Sequence, residues 1–180
     1  MLNIVAMKYV FLLMAFLVVG YAFAQAPSPA ALEGLSAREA LEVANAWKGL
    51  EVVSFATPKA IHFVFPGRRE VVIPMQASEM MVSVAPYVTR THPCATHYMS
   101  GCQGELVGVP VRVLATAADG EVLINETMTT PANGFLDLWL PRNKTIALRM
   151  SVGGHSTSGE ITTFDDSWTC ITTLQLTVAN

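Results

Sequence analysis

Cysteine and histidine side chains give this chain its clearest capacity for chemistry. Two of its three cysteines, Cys94 and Cys102, lie in the stretch THPCATHYMSGCQGEL, and His97 stands between them. Ser100-Gly101 provides a flexible point just before Cys102, so this loop can bring two sulfur atoms and an imidazole to one side. Cys170 lies far along the chain and can join them only through the fold. The pattern is compatible with a disulfide, a metal site or a redox couple.

A structural disulfide is the first of these interpretations. Cys170 would pair with Cys94 or Cys102, and a bond that closes so long a loop contributes about 3 to 5 kcal/mol. The protein would then be a disulfide-stapled β interaction module. This interpretation leaves one oxidisable thiol beside the histidines without a role.

A metal site with soft ligands is the second interpretation. Thiolates bind copper(I) well because both partners are polarisable, and two or three sulfur atoms suit its low coordination number. Zinc is the alternative ion, and it would take a fourth ligand from His97 or from His155. His155 lies in SVGGHSTSGE, where the glycines suggest a loop free to approach a site. Met99 is a further soft donor close to Cys102 in the sequence.

Thiol–disulfide exchange is the third interpretation. Dedicated oxidoreductases usually carry Cys-x-x-Cys at a helix N-terminus, which lowers the pKa of one thiol. The separation of Cys94 and Cys102 is longer, and their surroundings are typical of strand and loop, so we expect no enzymatic turnover. Asp165 and Asp166 are hard ligands that suit copper(I) poorly, and we expect them in a solvated turn.

The N-terminal residues predict export. Lys8 precedes the apolar run YVFLLMAFLVVGYAFA, and Ala22-Phe23-Ala24 fits a cleavage site, so residues 1–24 are expected to be a removed signal peptide. The run falls short of the roughly 20 residues that a spanning helix needs. An oxidising compartment favours paired thiols. Three cysteines therefore imply that one is left over, or that a bound ion holds all three.

Charge narrows the range of partners. The chain carries 11 basic and 14 acidic residues, for a net charge of −3, and no basic stripe is visible. Nucleic acid is therefore not an expected partner. Membrane contact is not expected once the signal peptide has been removed.

The first elements of the exported chain are predicted to be a helix and a hairpin. Ser36 and Glu39 fit a capping box at the start of LSAREALEVANAW. Leu41, Ala44 and Trp47 form one apolar stripe at helical spacing, which places Trp47 in the core. AIHFVFP then alternates apolar and polar positions, PGRRE turns the chain and EVVIP returns it, which predicts a β-hairpin.

The remainder of the chain predicts strands. A soft boundary at PMQASE is followed by MVSVAPYVT, ELVGVPVRVLAT, EVLINETM, GFLDLWLP, TIALRMSV, GEITTF and ITTLQLTV. Turn signals such as Asp119-Gly120 and Asn133-Gly134 separate them at spacings typical of a sandwich or small barrel. The predicted fold class is α+β, with an N-terminal helix and hairpin region (25–78) followed by a predominantly antiparallel β domain (79–180).

Three stretches and the exported leader resemble the CueP family of periplasmic copper-binding proteins. The stretches are THPCATHYMSGCQGE, GFLDLWLPRNKTIAL and GEITTFDDSWTCITTLQL. The resemblance implies a copper-resistance protein of the Gram-negative periplasm, with an N-terminal dimerisation region and a C-terminal metal-binding β domain. It also implies a role in supplying copper to a periplasmic superoxide dismutase.

The resemblance also implies roles for particular residues. Cys94, Cys102 and Cys170 would be the copper ligands, and Cys102 and Cys170 would form a disulfide in the oxidised state that a thiol oxidoreductase reduces. Trp168 lies two residues before Cys170. We expect it to pack in the interior, with shielding of the ion from water as the functional alternative.

Overall fold

The computed structural model describes residues 26–178, so the predicted signal peptide lies outside the described residues. Two short 3₁₀ turns occur at Pro29–Leu32 and Pro66–Arg68. The regular elements of the N-terminal part are α1 (Ala37–Ala46), β1 (Val53–Ala56), β2 (Ala60–Phe65) and β3 (Arg69–Pro74). They form one helix against an antiparallel sheet of order β1-β2-β3, and the predicted hairpin is confirmed as β2–β3.

Helix α1 begins at the predicted capping box. The backbone N–H of Ser36 donates to Glu39 Oε2 at 2.8 Å, and Glu39 N–H donates to Ser36 Oγ at 3.4 Å. These bonds satisfy N–H groups that have no partner within the helix. Trp47 is the C-cap residue that follows the helix, and its ring packs edge-on against Phe63 and Phe65 at centroid distances of 5.7 and 6.2 Å. Trp47 thus contributes to the core, as its spacing predicted.

The larger part of the chain is a β-sandwich. Its elements are β4 (Glu79–Val84), β5 (Pro110–Ala117), β6 (Val122–Thr129), β7 (Leu136–Pro141), β8 (Thr145–Val152), β9 (His155–Thr162), β10 (Cys170–Ile171) and β11 (Thr177–Val178). One sheet has the order β10-β4-β7 and the other β11-β9-β8-β5-β6. Every pair of these strands is antiparallel except the short β10–β4 pair, which is parallel. The predicted α+β class is therefore confirmed.

The β10-β4-β7 sheet lies between two hydrophobic cores. On one face, alternate residues such as Met80 and Val82 pack with Val113 and Leu148 of the five-stranded sheet. On the other face, Met81 belongs to the core under α1 and β1–β3. This burial on both faces explains why Met80, Met81 and Val82 are consecutive apolar residues in β4, since period-two alternation is expected only where one face is solvated.

The last stretch, ITTLQLTV, differs from the single strand that its alternation predicted. Cys170–Ile171 pairs with β4, whereas Thr177–Val178 pairs with β9 in the other sheet. The segment between them stays extended, because Tyr87 N–H donates to Leu174 O and Leu176 N–H donates to Tyr87 O. Leu174 and Leu176 are buried, so the alternation reflects which side chains face inward and not a continuous ladder.

No helix within residues 26–178 is long and apolar enough to cross a membrane.

Candidate metal centre

Thr169 joins the two remote parts of the chain that carry the cysteines. Its hydroxyl donates to Ala56 O of β1 at 2.7 Å and accepts from His97 N–H at 3.1 Å. Ala56 N–H in turn donates to His97 O at 2.8 Å. The segment before Cys170 is thereby fixed against the loop that contains Cys94 and Cys102. Thr169 is itself buried, so these bonds are shielded from water.

A second backbone contact brings Cys170 beside Cys94. The N–H groups of Thr169 and Cys170 both donate to the carbonyl of Ala95, at 3.0 and 3.2 Å. Cys170 is the first residue of β10 and lies opposite Ser83 of β4 in the parallel pair. The sandwich therefore holds the Cys170 backbone on one side, and the loop residue that follows Cys94 holds it on the other.

A tight turn positions Cys102. Its N–H donates to Tyr98 O at 2.7 Å, and Tyr98 N–H donates back to Cys102 Sγ at 3.4 Å. Lys48, which follows α1, donates from Nζ to Cys102 O at 2.6 Å. The turn directs the Cys102 sulfur into the interior, where only 9% of the residue is exposed.

The cysteine and histidine side chains form two groups that share Cys102. His97, Cys102 and Cys170 have one ligand atom each within 4.8 Å of one another, and so do His92, Cys94 and Cys102. The sulfur atoms of Cys94 and Cys102 are 3.5 Å apart, and all three cysteines are free thiols. The structure thus brings Cys170 to the loop cysteines, as any joint role for the three requires.

Both histidines beside the cysteines carry polar atoms without a partner. His97 is fully buried, and neither of its ring nitrogens has a hydrogen bond to any described residue. The same is true of His92 Nε2. The His97 ring instead lies 4.5 Å from the ring centroid of Phe135. A buried imidazole nitrogen without a hydrogen-bond partner costs about 1 to 3 kcal/mol. The unpaired nitrogens of His97 and His92 therefore indicate that a ligand such as a metal ion binds there.

His92 is a site residue that the sequence analysis did not single out as a ligand. Its place next to Pro93 and two residues before Cys94 was the available signal. The separation of two suits a shared site in extended chain, because alternate side chains there point to the same side.

The pKa values of the three thiols diverge because the groups lie so close together. A hydrogen bond from the Cys170 thiol lowers the pKa of Cys102 far below its ordinary range, with smaller contributions from His97 and His92, although burial opposes the shift. Burial raises the pKa of Cys94 to about 11. The pKa of Cys170 is also raised, mainly because its thiol is hydrogen-bonded to Cys102 and in part because it is buried. Metal binding requires the thiolate form of cysteine, so an ion that bound these side chains would displace the protons that their thiols carry.

His155 lies apart from the cysteines. It is the first residue of β9, opposite Val152 of β8 and Val178 of β11, so it belongs to the five-stranded sheet. The expected free loop around it is wrong. Gly153 and Gly154, with φ of 51° and 83°, form the tight turn between β8 and β9, which fixes His155 in the ladder.

Met99 and Trp168 also lie outside the two cysteine groups. Met99 is fully buried in the core under α1. Trp168 is 54% exposed, so its expected packing in the interior is wrong. It stands between Ser167 and Thr169, which are both buried. Because alternate side chains of extended chain face opposite sides, Trp168 is turned outward.

Asp165 lies in an exposed turn, as expected for a hard ligand with no part in the site. Its carboxylate accepts from Arg142 Nη2 and pairs with Lys59 Nζ, each at 2.7 Å. These ion pairs connect the turn before Cys170 to the residue that follows β7 and to the residue that precedes β2.

The Cys102 loop crosses a second loop at two glycines in direct backbone contact. Gly104 N–H donates to Asn133 O at 2.7 Å, and a Cβ built on Gly104 would lie 2.8 Å from the carbonyl carbon of Gly134. Gly134 has φ of 73°, a backbone conformation that favours glycine. No side chain fits at this crossing unless one of the two loops moves.

Gly104→Ala is expected to lower the free energy of unfolding by about 1 to 3 kcal/mol, the usual cost of overpacking. It should also weaken metal binding, because the displaced loop carries Cys102. Denaturant unfolding and copper titration measure the two effects. Gly101→Ala is the matched control, since a Cβ there meets nothing within 4 Å. Equal effects of the two substitutions would contradict the account.

Glu105 fastens the segment that leads into the site. Its carboxylate accepts from Val88 N–H at 2.6 Å, from Thr89 N–H at 3.0 Å and from the Thr89 hydroxyl. The hydroxyl of Thr89 is the largest cause that lowers the pKa of Glu105 to about 2, and the backbone N–H groups add to it. The charged form is thus strongly preferred in the folded state.

Glu105→Gln is expected to destabilise the protein more at about pH 7 than at about pH 2.5. A pKa that is lower in the folded than in the unfolded state contributes stability above the unfolded value of about 4.3, and this contribution is lost as the pH falls toward 2. Urea midpoints at both pH values measure the difference. Glu33→Gln, at an exposed glutamate outside this segment, is the control, and its urea midpoints should stay close to those of wild type. A pH-independent effect of the Glu105 change would refute this.

Two cavities bear on where a ligand can enter. A cleft of about 290 Å³ is lined by Arg90, Thr91, His92, Gln103, Gly104 and Glu105, and it opens onto the His92 edge of the cysteine cluster. A larger cavity of about 680 Å³ lies on the five-stranded sheet beside Arg112 and Arg149, and none of its lining residues belongs to the cluster. The smaller cleft is therefore the relevant one for the metal centre.

Comparison with known proteins adds a family and a solved structure. The family model described as "Periplasmic copper-binding protein CueP" matches residues 39–175. The chain is also similar to the protein in "Crystal Structure of S.CueP", with 33% sequence identity and a TM-score of 0.76, over 82% of this chain and 92% of that chain. No curated protein matches the chain.

Proposed function

The chain belongs to the CueP family of periplasmic copper-binding proteins, and we propose that it holds the metal as copper(I) through the thiolates of Cys94, Cys102 and Cys170. The observation that carries the proposal is the pair of overlapping ligand groups around Cys102. Their sulfur and imidazole donors suit a soft, monovalent ion.

Copper(I) fits these groups better than zinc does. Each compact group supplies three donors, two sulfur atoms and one imidazole nitrogen. Copper(I) is stable with two or three ligands, whereas structural zinc is almost always bound by four. His97 is therefore a ligand in this proposal, and the zinc alternative that would recruit His155 has no support from its place in the five-stranded sheet.

Binding should depend on the redox state of the thiols. Copper(I) needs thiolates, and a Cys102–Cys170 disulfide would remove two of them. Formation of that bond releases two protons and two electrons to an oxidant, and a thiol oxidoreductase would return the electrons to restore the site. Cys102 is suited to this exchange because the thiolate is the reactive form of cysteine and its pKa is lowered by Cys170.

The protein would sequester copper in the periplasm and pass it to a copper enzyme such as a periplasmic superoxide dismutase, without an enzymatic activity of its own. Export through the signal peptide at residues 1–24 would bring it there. Such a role requires that the ion be held tightly and still be released to a partner. Buried Cys170 suits tight retention of the ion, and half-buried Cys94 suits its release to a partner.

The N-terminal region (25–78) would pair two chains. The outer face of the β1–β3 sheet exposes Val53 and Val72 at 45% and 49%, beside Phe55. Exposed apolar side chains gathered on one face of a sheet are typical of a contact surface. Sedimentation of wild type and Val72→Glu would test this, with a dimer expected only for the wild type. A monomeric wild type would contradict it.

The experiment that tests the copper proposal is a titration of the reduced protein with copper(I) against a competing chelator, without oxygen. Wild type is expected to retain one ion against the chelator, and the variant with all three cysteines changed to serine should retain none. Tight binding by the triple variant would disprove the assignment. A count of thiols in freshly isolated protein, with air oxidation excluded and no reductant added, should give three that are free or masked by metal, whereas a disulfide-stapled module would show one.

A further inference from the structure

We propose that copper(I) occupies two overlapping positions in this chain, an inner one and an outer one, and that it enters and leaves only through the outer one. The inner position is formed by His97, Cys102 and Cys170, and the outer position by His92, Cys94 and Cys102. Cys102 belongs to both. The inference rests on the proposed binding of copper(I) by the cysteines and adds a route to it.

The inner position is sealed from solvent. His97 and Cys170 are fully buried and Cys102 is 9% exposed. Phe135, also fully buried, lies against the His97 ring at 4.5 Å and belongs to the same apolar cluster as Cys102 and Cys170. A close-packed interior of this kind leaves no space for an ion or a chelating partner to approach. An ion bound there is protected, but it needs another way in and out.

The outer position provides that way. His92 and Cys94 are both half-buried, and the cleft of about 290 Å³ between Arg90 and Glu105 opens onto His92. His92 Nε2 is buried and has no hydrogen-bond partner in the described part of the chain, so it is free to act as a donor. A partner that docks over this cleft would meet His92, which lines it, before it met any inner ligand.

The shared sulfur allows transfer without release of the ion. While copper keeps its bond to Cys102 Sγ, its bonds to Cys94 and His92 are replaced by bonds to Cys170 and His97. The Cys170 thiol gives up its proton as it binds, and Cys94 takes one up as it is freed. Copper stays monovalent and no electron is exchanged. The distances involved are short, since one ligand atom of each of the other four residues lies within 4.8 Å of the shared Cys102 sulfur.

The two positions predict opposite effects of substitution. Loss of an outer ligand by His92→Ala should leave the equilibrium affinity for copper(I) close to that of wild type, while release to a chelator slows by about tenfold or more, which corresponds to about 1.4 kcal/mol of barrier. Loss of an inner ligand by Cys170→Ser should lower the affinity but leave release fast. A single shared position would make affinity and release change together.

The test uses reduced full-length protein loaded with one equivalent of copper(I) and mixed in a stopped-flow instrument with excess bathocuproine disulfonate. Equilibrium competition with the same chelator gives the affinity. His155→Ala is the matched control, because His155 is also half-buried but lies in the five-stranded sheet. It should change neither quantity. His92→Gln serves as a second variant, and far-UV circular dichroism checks that each variant is folded.

Slower release with unchanged affinity in both His92 variants supports the two positions. Unchanged release in the His92 variants overturns them, and so does a loss of affinity in these variants equal to that in Cys170→Ser. Either of these two overturning results would leave the proposal of copper(I) binding by the cysteines intact. That proposal fails only if the affinity for copper(I) persists after all three cysteines are replaced.

Discussion

Cys102→Ser is expected to abolish tight copper(I) binding, with a loss of affinity of at least about a hundredfold, because even the loss of a group that only orients a ligand costs 10- to 100-fold. Cys102 is the one residue that both ligand groups contain. Serine keeps the size of the side chain, but its hydroxyl is a hard donor that is not ionised near neutral pH. Competition with a chelator under anaerobic conditions measures the loss.

Cys94→Ser is the matched control for this prediction. It removes a thiol at 3.5 Å from Cys102 Sγ but leaves His97, Cys102 and Cys170 complete. Its affinity should therefore stay well above that of Cys102→Ser. Unfolding curves of the two metal-free variants should be close to wild type, because neither change creates a large cavity. If the two variants bound copper equally well, Cys102 would not be the shared ligand.

Phe135→Ala is expected to lower the free energy of unfolding by about 3 to 5 kcal/mol, the usual range for removal of a buried phenylalanine ring. The ring is fully buried in the apolar cluster with Ala85, Cys102 and Cys170. It also covers His97 at 4.5 Å. Its loss would leave a cavity beside the inner ligands, so copper should be held less tightly in the variant that remains folded. Denaturant unfolding of the metal-free protein measures the first effect.

Phe164→Ala is the control for this substitution, because Phe164 is 39% exposed and the same truncation there removes fewer contacts. Phe135→Leu keeps most of the side-chain volume but removes the aromatic contact with His97. It should therefore recover most of the free energy of unfolding that Phe135→Ala loses. A loss of less than about 1 kcal/mol for Phe135→Ala would contradict the packing described here, since surface substitutions usually stay within about 0.5 kcal/mol.

The sequence predicted the elements that are built from local signals. The capping box of Ser36 and Glu39 and the β2–β3 hairpin depend on residues a few positions apart, and both are present. The pairing of the final stretch around Leu174 and Leu176 was harder to predict. Alternation indicates which side chains are buried, but it does not indicate which strand the backbone pairs with. Its two short strands belong to different sheets, a choice made by the tertiary fold.

The site shows the same division between local and long-range information. The spacing of Cys94, His97 and Cys102 identified a cluster, but it could not show how Cys170 reaches it. That approach depends on Thr169, whose hydroxyl bonds to Ala56 and His97 across the fold. Thr169 carries no recognisable motif, so its role becomes visible only once the chain is folded.

X-ray absorption spectroscopy at the copper edge tests the central claim most directly. Reduced protein with one equivalent of copper(I) should show sulfur as the dominant neighbour of the ion. Cys94→Ser keeps the inner ligands Cys102 and Cys170 and should retain this sulfur shell, whereas the double variant Cys94→Ser/Cys170→Ser keeps only Cys102 and should show fewer sulfur neighbours. That decrease would mean that a residue from the far end of the chain binds the same ion as Cys102. A shell of only nitrogen and oxygen in the wild type, or the same sulfur shell in Cys94→Ser and in the double variant, would contradict the account.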